Sequence, residues 1–306
     1  MLGPTATGKS ALGIAIAQTL GGEIVNCDST AVYRGFDIGT DKLPAADRGG
    51  IPHHLIDIVE PTGEYTAAQY ARDAARTIRD IHTRNLLPIV VGGTGFYYRA
   101  LTRGLFPGPG RDADLRARLD RIADRRGVER LHRLLGRVDR PSALRIQPRD
   151  RKRIVRALEV YVLTGRSLTD HFADTQSPIP EADVVAVGLT LPAAVISERV
   201  TRRVDEQFDR GLIDEIRGLL ERGVPEDARP FGGLVYRQAL EYLHSVRDER
   251  ATRALIAQEN RRYARRQLTW FRKEPGITWF DGPGGSEETT RSVLHFLGEK
   301  LNLQRG

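Results

Sequence analysis

Cysteine is almost missing from this chain of 306 residues, and Cys27 is its only one. That excludes an internal disulfide framework and any zinc site built on several cysteines, and it suits a reducing compartment. No apolar run approaches the ~20 residues needed to cross a bilayer, and no basic-then-apolar leader is present. A soluble, cytoplasmic protein with no membrane partner is therefore expected. Internal repeats and low-complexity tracts are also lacking. At 40% hydrophobic residues, the length allows one sizeable core and a smaller second unit.

An even spread of charge is lacking too. The formal net charge is +7, yet the segment from Arg111 to Arg166 holds 17 Lys+Arg against 8 Asp+Glu. A basic surplus confined to one segment points to a polyanionic partner, whereas solvated arginine-rich helices are the plainer alternative. A second basic cluster, Arg261, Arg262, Arg265, Arg266, Arg272 and Lys273, is interleaved with Tyr263, Trp270 and Phe271. Arginines mixed with aromatics suit RNA, whose unpaired bases stack on rings and guanidinium planes.

What is present begins with Gly3-Pro4-Thr5-Ala6-Thr7-Gly8-Lys9-Ser10, a complete phosphate-binding loop of the form G-x-x-x-x-G-K-S. Glycines let successive backbone N–H groups turn onto a phosphate, and the following helix adds its positive end. Lys9 is placed to reach the outer phosphate, and the Ser10 hydroxyl to sit on a Mg²⁺ ion. Only Met1 and Leu2 precede Gly3, where a buried strand normally carries such a loop. We expect a start codon assigned too far downstream, because losing the whole strand would leave the sheet with a gap.

Strand-like runs at Glu23–Cys27, His54–Val59 and Leu86–Val91 alternate with helical stretches at Ser10–Leu20 and Thr66–Arg84, which predicts a doubly wound parallel α/β sheet. Gly104-Leu105-Phe106-Pro107-Gly108-Pro109-Gly110 breaks the pattern. Residues 111–178 then read as a basic, all-helical insertion, closed by Ser177-Pro178-Ile179-Pro180. A strand over Val184–Leu191 returns to the core, followed by helices over Ala194–Arg222 and Glu249–Phe271. The core is thus 1–110 with 179–306.

Ligands of open α/β sheets bind outside the carboxyl ends of the strands. The first run ends in Asn26-Cys27-Asp28-Ser29, so Asp28 faces the loop's phosphates as a metal-orienting carboxylate or a general base. The third ends in Gly92-Gly93-Thr94-Gly95, without the acid that an ATP-hydrolysing enzyme usually carries there. Small residues and one hydroxyl leave space for a bulky, uncharged group. His53 and His54 are adjacent and diverge, which argues for packing rather than a metal site, and Cys27 reads as a small buried residue.

These motifs in this order, with Val32-Tyr33-Arg34-Gly35, Asp37-Ile38-Gly39-Thr40, Pro52-His53-His54-Leu55-Ile56-Asp57, Arg156-Ala157-Leu158-Glu159-Val160 and Tyr263-Ala264-Arg265-Arg266-Gln267-Leu268-Thr269-Trp270, resemble the bacterial tRNA dimethylallyltransferases over nearly the whole chain. The resemblance implies transfer of a dimethylallyl group from dimethylallyl diphosphate to N6 of adenine 37 in tRNA, with Mg²⁺. It implies Asp28 as the base that takes the N6 proton and Thr94 as a hydroxyl near the leaving oxygen. Gly3 to Ser10 and Arg203 are then the diphosphate binders. Asp28, Ser29, Thr30, Ala31, Thr94, Arg116, Lys152, Arg153, Arg156, Arg237, Arg265 and Arg266 are implied tRNA contacts, with the insertion gripping the anticodon stem. A monomer is expected.

Two positions depart from the family pattern. Ala31 stands where many relatives have Gln, and Val235 where they commonly have Gly, so a base-edge contact and the loop near Arg237 are expected to differ. The competing classes are a nucleotide kinase, which needs an acidic strand end, an adenylate isopentenyltransferase, which needs no basic insertion, and a non-enzymatic RNA-binding module, which leaves Asp28 and Thr94 without a use.

Overall fold

The computed structural model describes residues 1–106 and 108–301, so Pro107 of the glycine-proline run lies outside the described residues. Two compact units are formed. One comprises Met1–Thr102 with Glu181–Gly306, and the other Arg103–Pro180.

The first unit is a parallel sheet flanked by helices. Strands β1 (Gly22–Asn26), β2 (His53–His54) and β3 (Leu87–Val91) are ordered β2-β1-β3, and β4 (Ala186–Thr190) pairs in parallel with β5 (Ile277–Asp281). Met1 and Leu2 join the two parts. The Leu2 N–H donates to the Val187 carbonyl at 2.8 Å, the Leu2 carbonyl accepts from Leu189 N–H at 3.0 Å, and the Met1 carbonyl accepts from Gly92 N–H at 3.1 Å. The phosphate loop leaves from these two residues.

Every second strand residue faces one core. Ile24, Ile89, Val91, Val187 and Leu189 pack with Leu12, Ile16 and Ala17 of α1 (Lys9–Leu20) and Val293 and Leu297 of α13 (Glu287–Lys300). This is the period-two pattern of a pleated strand buried against helices. Glu23, at the opposite parity of β1, meets Arg84 at the end of α2 (Ala67–Thr83) and His54 of β2. The Arg84 hydrogen bonds outweigh burial and, with His54, hold the Glu23 carboxyl down to about 2.

Three stretches differ from the pattern read in the sequence. The expected strand His54–Val59 stops after His54, because Leu55 (φ 61) and Asp57 (φ 56) adopt left-handed backbone. The expected single helix Ala194–Arg222 is two, α9 (Ala193–Asp209) and α10 (Leu212–Glu221), parted at Gly211 with φ 89. Helices α3 (Gly95–Arg103), α11 (Leu234–Leu243) and α13, and strand β5, had no reading in the sequence, whereas α12 spans Glu249–Phe271 as its period predicts. Among the described residues no helix is long and apolar enough to cross a membrane.

The second unit is helical: α4 (Ala113–Arg126), α5 (Val128–Val138), α6 (Arg140–Arg145), α7 (Arg151–Thr164) and α8 (Leu168–Ala173). Side chains cap most of their starts. Asp112, Asp139, Asp150 and Ser167 accept from backbone N–H groups in the first turns of α4, α6, α7 and α8. Its core joins Leu119, Leu131, Leu135, Ile154, Val155 and Leu158. Glu159 is fully buried beside that core and accepts from Arg116 Nε and Nη2, both at 2.8 Å, from Arg156 Nη1 at 2.7 Å and from Asp112 N–H at 2.9 Å.

Burial pushes the Glu159 carboxyl up, but the two guanidiniums prevail and hold it at about 2, below its ordinary 4.5. A depressed carboxyl contributes stability that is complete above the unfolded value and lost as pH falls through the folded one. Glu159→Gln should therefore lower stability at pH 7 by about 2–3 kcal/mol, less than for a wholly buried pair because both guanidiniums keep some solvent contact. It should also flatten the loss of stability between about pH 4.5 and pH 2. Urea titrations across pH test this, and an unchanged curve would contradict it.

Candidate active site

The phosphate loop turns from Leu2 into α1 through Gly3 (φ 130), Ala6 (φ 64) and Gly8 (φ 87). A Cβ at Gly3 would stand 2.6 Å from the Leu189 carbonyl oxygen, and one at Gly8 2.9 Å from Gly284 N, so packing demands both glycines. Thr7 is wholly buried and donates to the Pro4 carbonyl at 2.9 Å, which locks the turn. Gly3, Pro4 and Thr7 thus shape the loop. Thr5, Ala6, Gly8, Lys9 and Ser10 line a cavity of about 600 Å³.

Cations gather on this loop. Lys9 Nζ donates to the Pro4 carbonyl at 2.6 Å, and burial together with Arg203 lowers its pKa to about 8 against the pull of Asp28. Arg203 of α9 donates from Nη1 to Thr5 Oγ1 at 2.7 Å, and its Nε lies 2.9 Å from Asp41 Oδ2. One turn earlier, Arg199 Nη1 donates to the Ala6 carbonyl at 3.2 Å. Arg199 escaped the sequence reading, although its spacing of four from Arg203 puts both on one helical face.

Asp28 follows β1 directly. Its Oδ1 accepts from the Thr30 N–H at 2.9 Å and the Thr30 hydroxyl at 2.7 Å, while Oδ2 accepts from none of the described residues. The residue lines both the loop's cavity and a second one of about 320 Å³, walled also by Thr30, Gly39, Val235, Arg237, Tyr263 and Arg266. Ala31 lines the first cavity. Val235 lies in the first turn of α11, in helical backbone that suits a β-branched residue, so no left-handed loop is needed there. Thr94 lines neither cavity. Its hydroxyl accepts from Ser29 N–H at 3.0 Å and lies 3.3 Å from Ser29 Oγ, bracing the segment after Asp28.

The glycines after β3 make less open space than their size suggests. A Cβ at Gly92 would overlap the Cys27 carbonyl, one at Gly93 the Gln267 amide, and one at Gly95 the Trp270 ring. The chain's own groups fill most of that room, and only Gly92 and Gly93 open onto the first cavity. Gln267, on α12, is buried and reaches both sides of it. Its Oε1 accepts from the Thr5 N–H at 2.8 Å and its Nε2 donates to the Gly93 carbonyl at 2.8 Å. The run Tyr263–Trp270, read in the sequence as RNA-facing, therefore turns Tyr263 and Gln267 to the cavity and leaves Arg265 and Arg266 exposed. Cys27 is buried, which pushes its thiol up to about 12. His53 and His54 are held by the Ile51 carbonyl and by Glu23.

The family model for IPP transferases matches residues 31–274. The chain is 41% identical to the tRNA dimethylallyltransferase of Geobacter sulfurreducens, over 97% of this chain and 95% of that one, and 44% identical to that of Solibacter usitatus, over 97% and 98%. The chain belongs to the IPP transferase family. Its fold matches the crystal structure of the full-length tRNA isopentenylpyrophosphate transferase of Bacillus halodurans with a TM-score of 0.73 at 36% identity, covering 98% of this chain and 95% of that one. It also matches a eukaryotic dimethylallyltransferase acting on tRNA, with a TM-score of 0.79 at 26% identity, covering 99% and 78%.

Within this IPP transferase the basic residues of the helical unit divide in two. Lys152 and Arg153 are exposed in the first turn of α7. Arg116 and Arg156, expected to touch RNA, pair with the buried Glu159 and keep about a third of their side-chain exposure. In the α/β unit, Arg237 is exposed beside the second cavity.

Gln267→Ala would strand the half-buried Thr5 N–H and the buried Gly93 carbonyl at the loop. Leaving a buried polar group unpaired costs about 1–3 kcal/mol. Chemical denaturation should show a loss of that size, and inorganic pyrophosphate should bind more weakly by calorimetry. Wild-type stability and affinity in the variant would exclude Gln267 as the tie.

Proposed function

We propose that this IPP transferase moves a dimethylallyl group from dimethylallyl diphosphate to N6 of adenine 37 in the anticodon loop of tRNA and releases diphosphate. One observation carries the reading: Asp28 lines both the cavity of the phosphate loop and the adjoining one. The cavities also share Asp41, but that carboxylate faces Arg203 and Arg210, so Asp28 is the one left for a donor and an acceptor that meet there. Their volumes fall in the range of ligand sites, which begins near ~300 Å³.

Adenine N6 is a weak nucleophile because its lone pair is delocalised into the ring. The barrier falls most if the allylic C1–oxygen bond loosens while the loop amides, Lys9 and Arg203 take up the charge of the departing diphosphate. The N6–C1 bond then forms, the C1–oxygen bond breaks, and the N6 proton passes to Asp28 Oδ2, the oxygen that Thr30 leaves open. Ser29, Thr30 and Ala31 would border the incoming base, with Thr94 bracing them. The base must leave its stack to enter the second cavity.

A Mg²⁺ ion fits this donor set, since Mg²⁺ takes one or two protein oxygens beside substrate phosphates and the exposed Ser10 hydroxyl lines the cavity. When bound, it would neutralise charge on the diphosphate. The absence of an acid after β3 argues against positioning a water for ATP hydrolysis. A tRNA substrate supports a cytoplasmic setting. Incubation with dimethylallyl diphosphate, Mg²⁺ and unmodified tRNA, followed by nucleoside mass analysis, should yield dimethylallyladenosine at one loop position. Unaltered adenosine would refute the proposal.

The helical unit supplies the remaining grip through Lys152 and Arg153, while Arg265, Arg266 and Arg237 serve near the loop. Phosphate contacts fix register without reading sequence. Lys152→Gln with Arg153→Gln should weaken all tRNA substrates alike and reduce the salt slope of binding by roughly 0.7–0.9 for each phosphate no longer neutralised. Equal slopes for variant and wild type would remove this unit as the grip.

A further inference from the structure

Arg203 lines the loop's cavity beside Thr5, yet two of its nitrogens are already engaged. Nη1 donates to Thr5 Oγ1 at 2.7 Å and Nε lies 2.9 Å from Asp41 Oδ2. Asp41 lines both cavities, and Arg210 Nη1 stands 4.0 Å from its other oxygen. A carboxylate thus sits among the cations that the phosphate reading assigns to the donor.

Asp41 is not a loose surface acid. Its backbone is left-handed, with φ 57, and its N–H donates to the Ile38 carbonyl at 3.1 Å. On one side Lys42 is buried, with Nζ on Asp37 Oδ1 at 2.7 Å, on Asp57 Oδ1 at 2.5 Å and on the Tyr33 carbonyl. On the other, the Gly39 N–H donates to Tyr236 Oη at 3.0 Å, and the Tyr236 hydroxyl donates to Glu215 Oε1 at 2.5 Å. Glu215 Oε2 in turn accepts from the Asp37 and Ile38 N–H groups at 3.0 and 2.8 Å. The turn from Asp37 to Lys42 is pinned at both ends, so the Asp41 carboxylate is held where Arg203 can meet it.

We propose that Asp41 is a positioning residue that competes with diphosphate for Arg203, drawing the guanidinium back as diphosphate leaves and so weakening retention of the product. This rests on the reading of the loop as the donor's diphosphate site. A phosphate group and a carboxylate present the same bidentate target to a guanidinium, so a diphosphate that takes the Nε edge of Arg203 must displace Asp41 from it. Asp41 and Arg203 each keep about a third of their side-chain exposure, which holds the exchange to a modest size.

The test is calorimetric titration of inorganic pyrophosphate, with Mg²⁺, into wild type, Asp41→Asn, Arg203→Gln and the double variant. Asn tolerates left-handed backbone, so Asp41→Asn should keep the turn, and equal melting temperatures check this. Asp41→Asn should bind pyrophosphate about fivefold more tightly, the scale of a partly exposed ion pair. In the Arg203→Gln background the same change should have no effect, because no guanidinium is left to release. Unchanged or weaker binding by Asp41→Asn overturns the inference. An equal gain in both backgrounds also overturns it, since that is simple repulsion between Asp41 and the ligand. If wild type binds no pyrophosphate, the diphosphate reading of the loop itself fails and takes the inference with it.

Discussion

A single buried amide, Gln267, governs how the phosphate loop sits. The loop leaves the sheet at Leu2, whose backbone pairs with Val187 and Leu189, and is held there by contacts from other elements. Gln267 does this by joining Thr5 to Gly93, while Gly3 fits against Leu189 and Gly8 against Gly284. Each of those approaches excludes a Cβ or demands a partner. The loop, the end of β3 and helix α12 consequently keep one fixed geometry, and the wall of the loop's cavity follows from it.

Electrostatics adds a second constraint. Lys9, Arg199 and Arg203 all converge on the loop, and each is answered by an acceptor of the chain itself: the Pro4 carbonyl, the Ala6 carbonyl, and Thr5 with Asp41. Concentrated positive charge is thereby tolerated in a half-buried setting until an anion meets it. Asp28 completes the arrangement, with one oxygen fixed by Thr30 and the other accepting from none of the described residues. A carboxylate so divided keeps its orientation while leaving an acceptor for a proton.

Much of this was legible in the sequence, for reasons that differ by element. The phosphate loop is spelled by its glycines and its Lys-Ser pair, β1, β3 and β4 by apolar runs, and α12 by helical periodicity. What escaped notice depends on tertiary partners. Strand β2 ends because Leu55 and Asp57 turn left-handed, and Asp57 closes a buried pair with Lys42 from a distant turn. Gln267 hides in a basic, aromatic run that reads as RNA-facing, since nothing local marks the partner of a buried amide. Arg116 and Arg156 look like free positive charge until Glu159 is found buried between them. Thr94 reads as a hydroxyl near the leaving oxygen, and no local pattern marks that it also accepts from the Ser29 N–H.

The proposed transfer depends on Asp28 acting as its base where the two cavities meet. Rapid-quench measurement of a single turnover by Asp28→Asn, at saturating dimethylallyl diphosphate and tRNA, tests it most directly. Asn keeps the acceptor for Thr30, so the turn and both affinities should stay near wild type. Transfer should slow by about 10²–10⁴-fold, the worth of general-base assistance. A variant that retains a third or more of the wild-type rate would contradict the account.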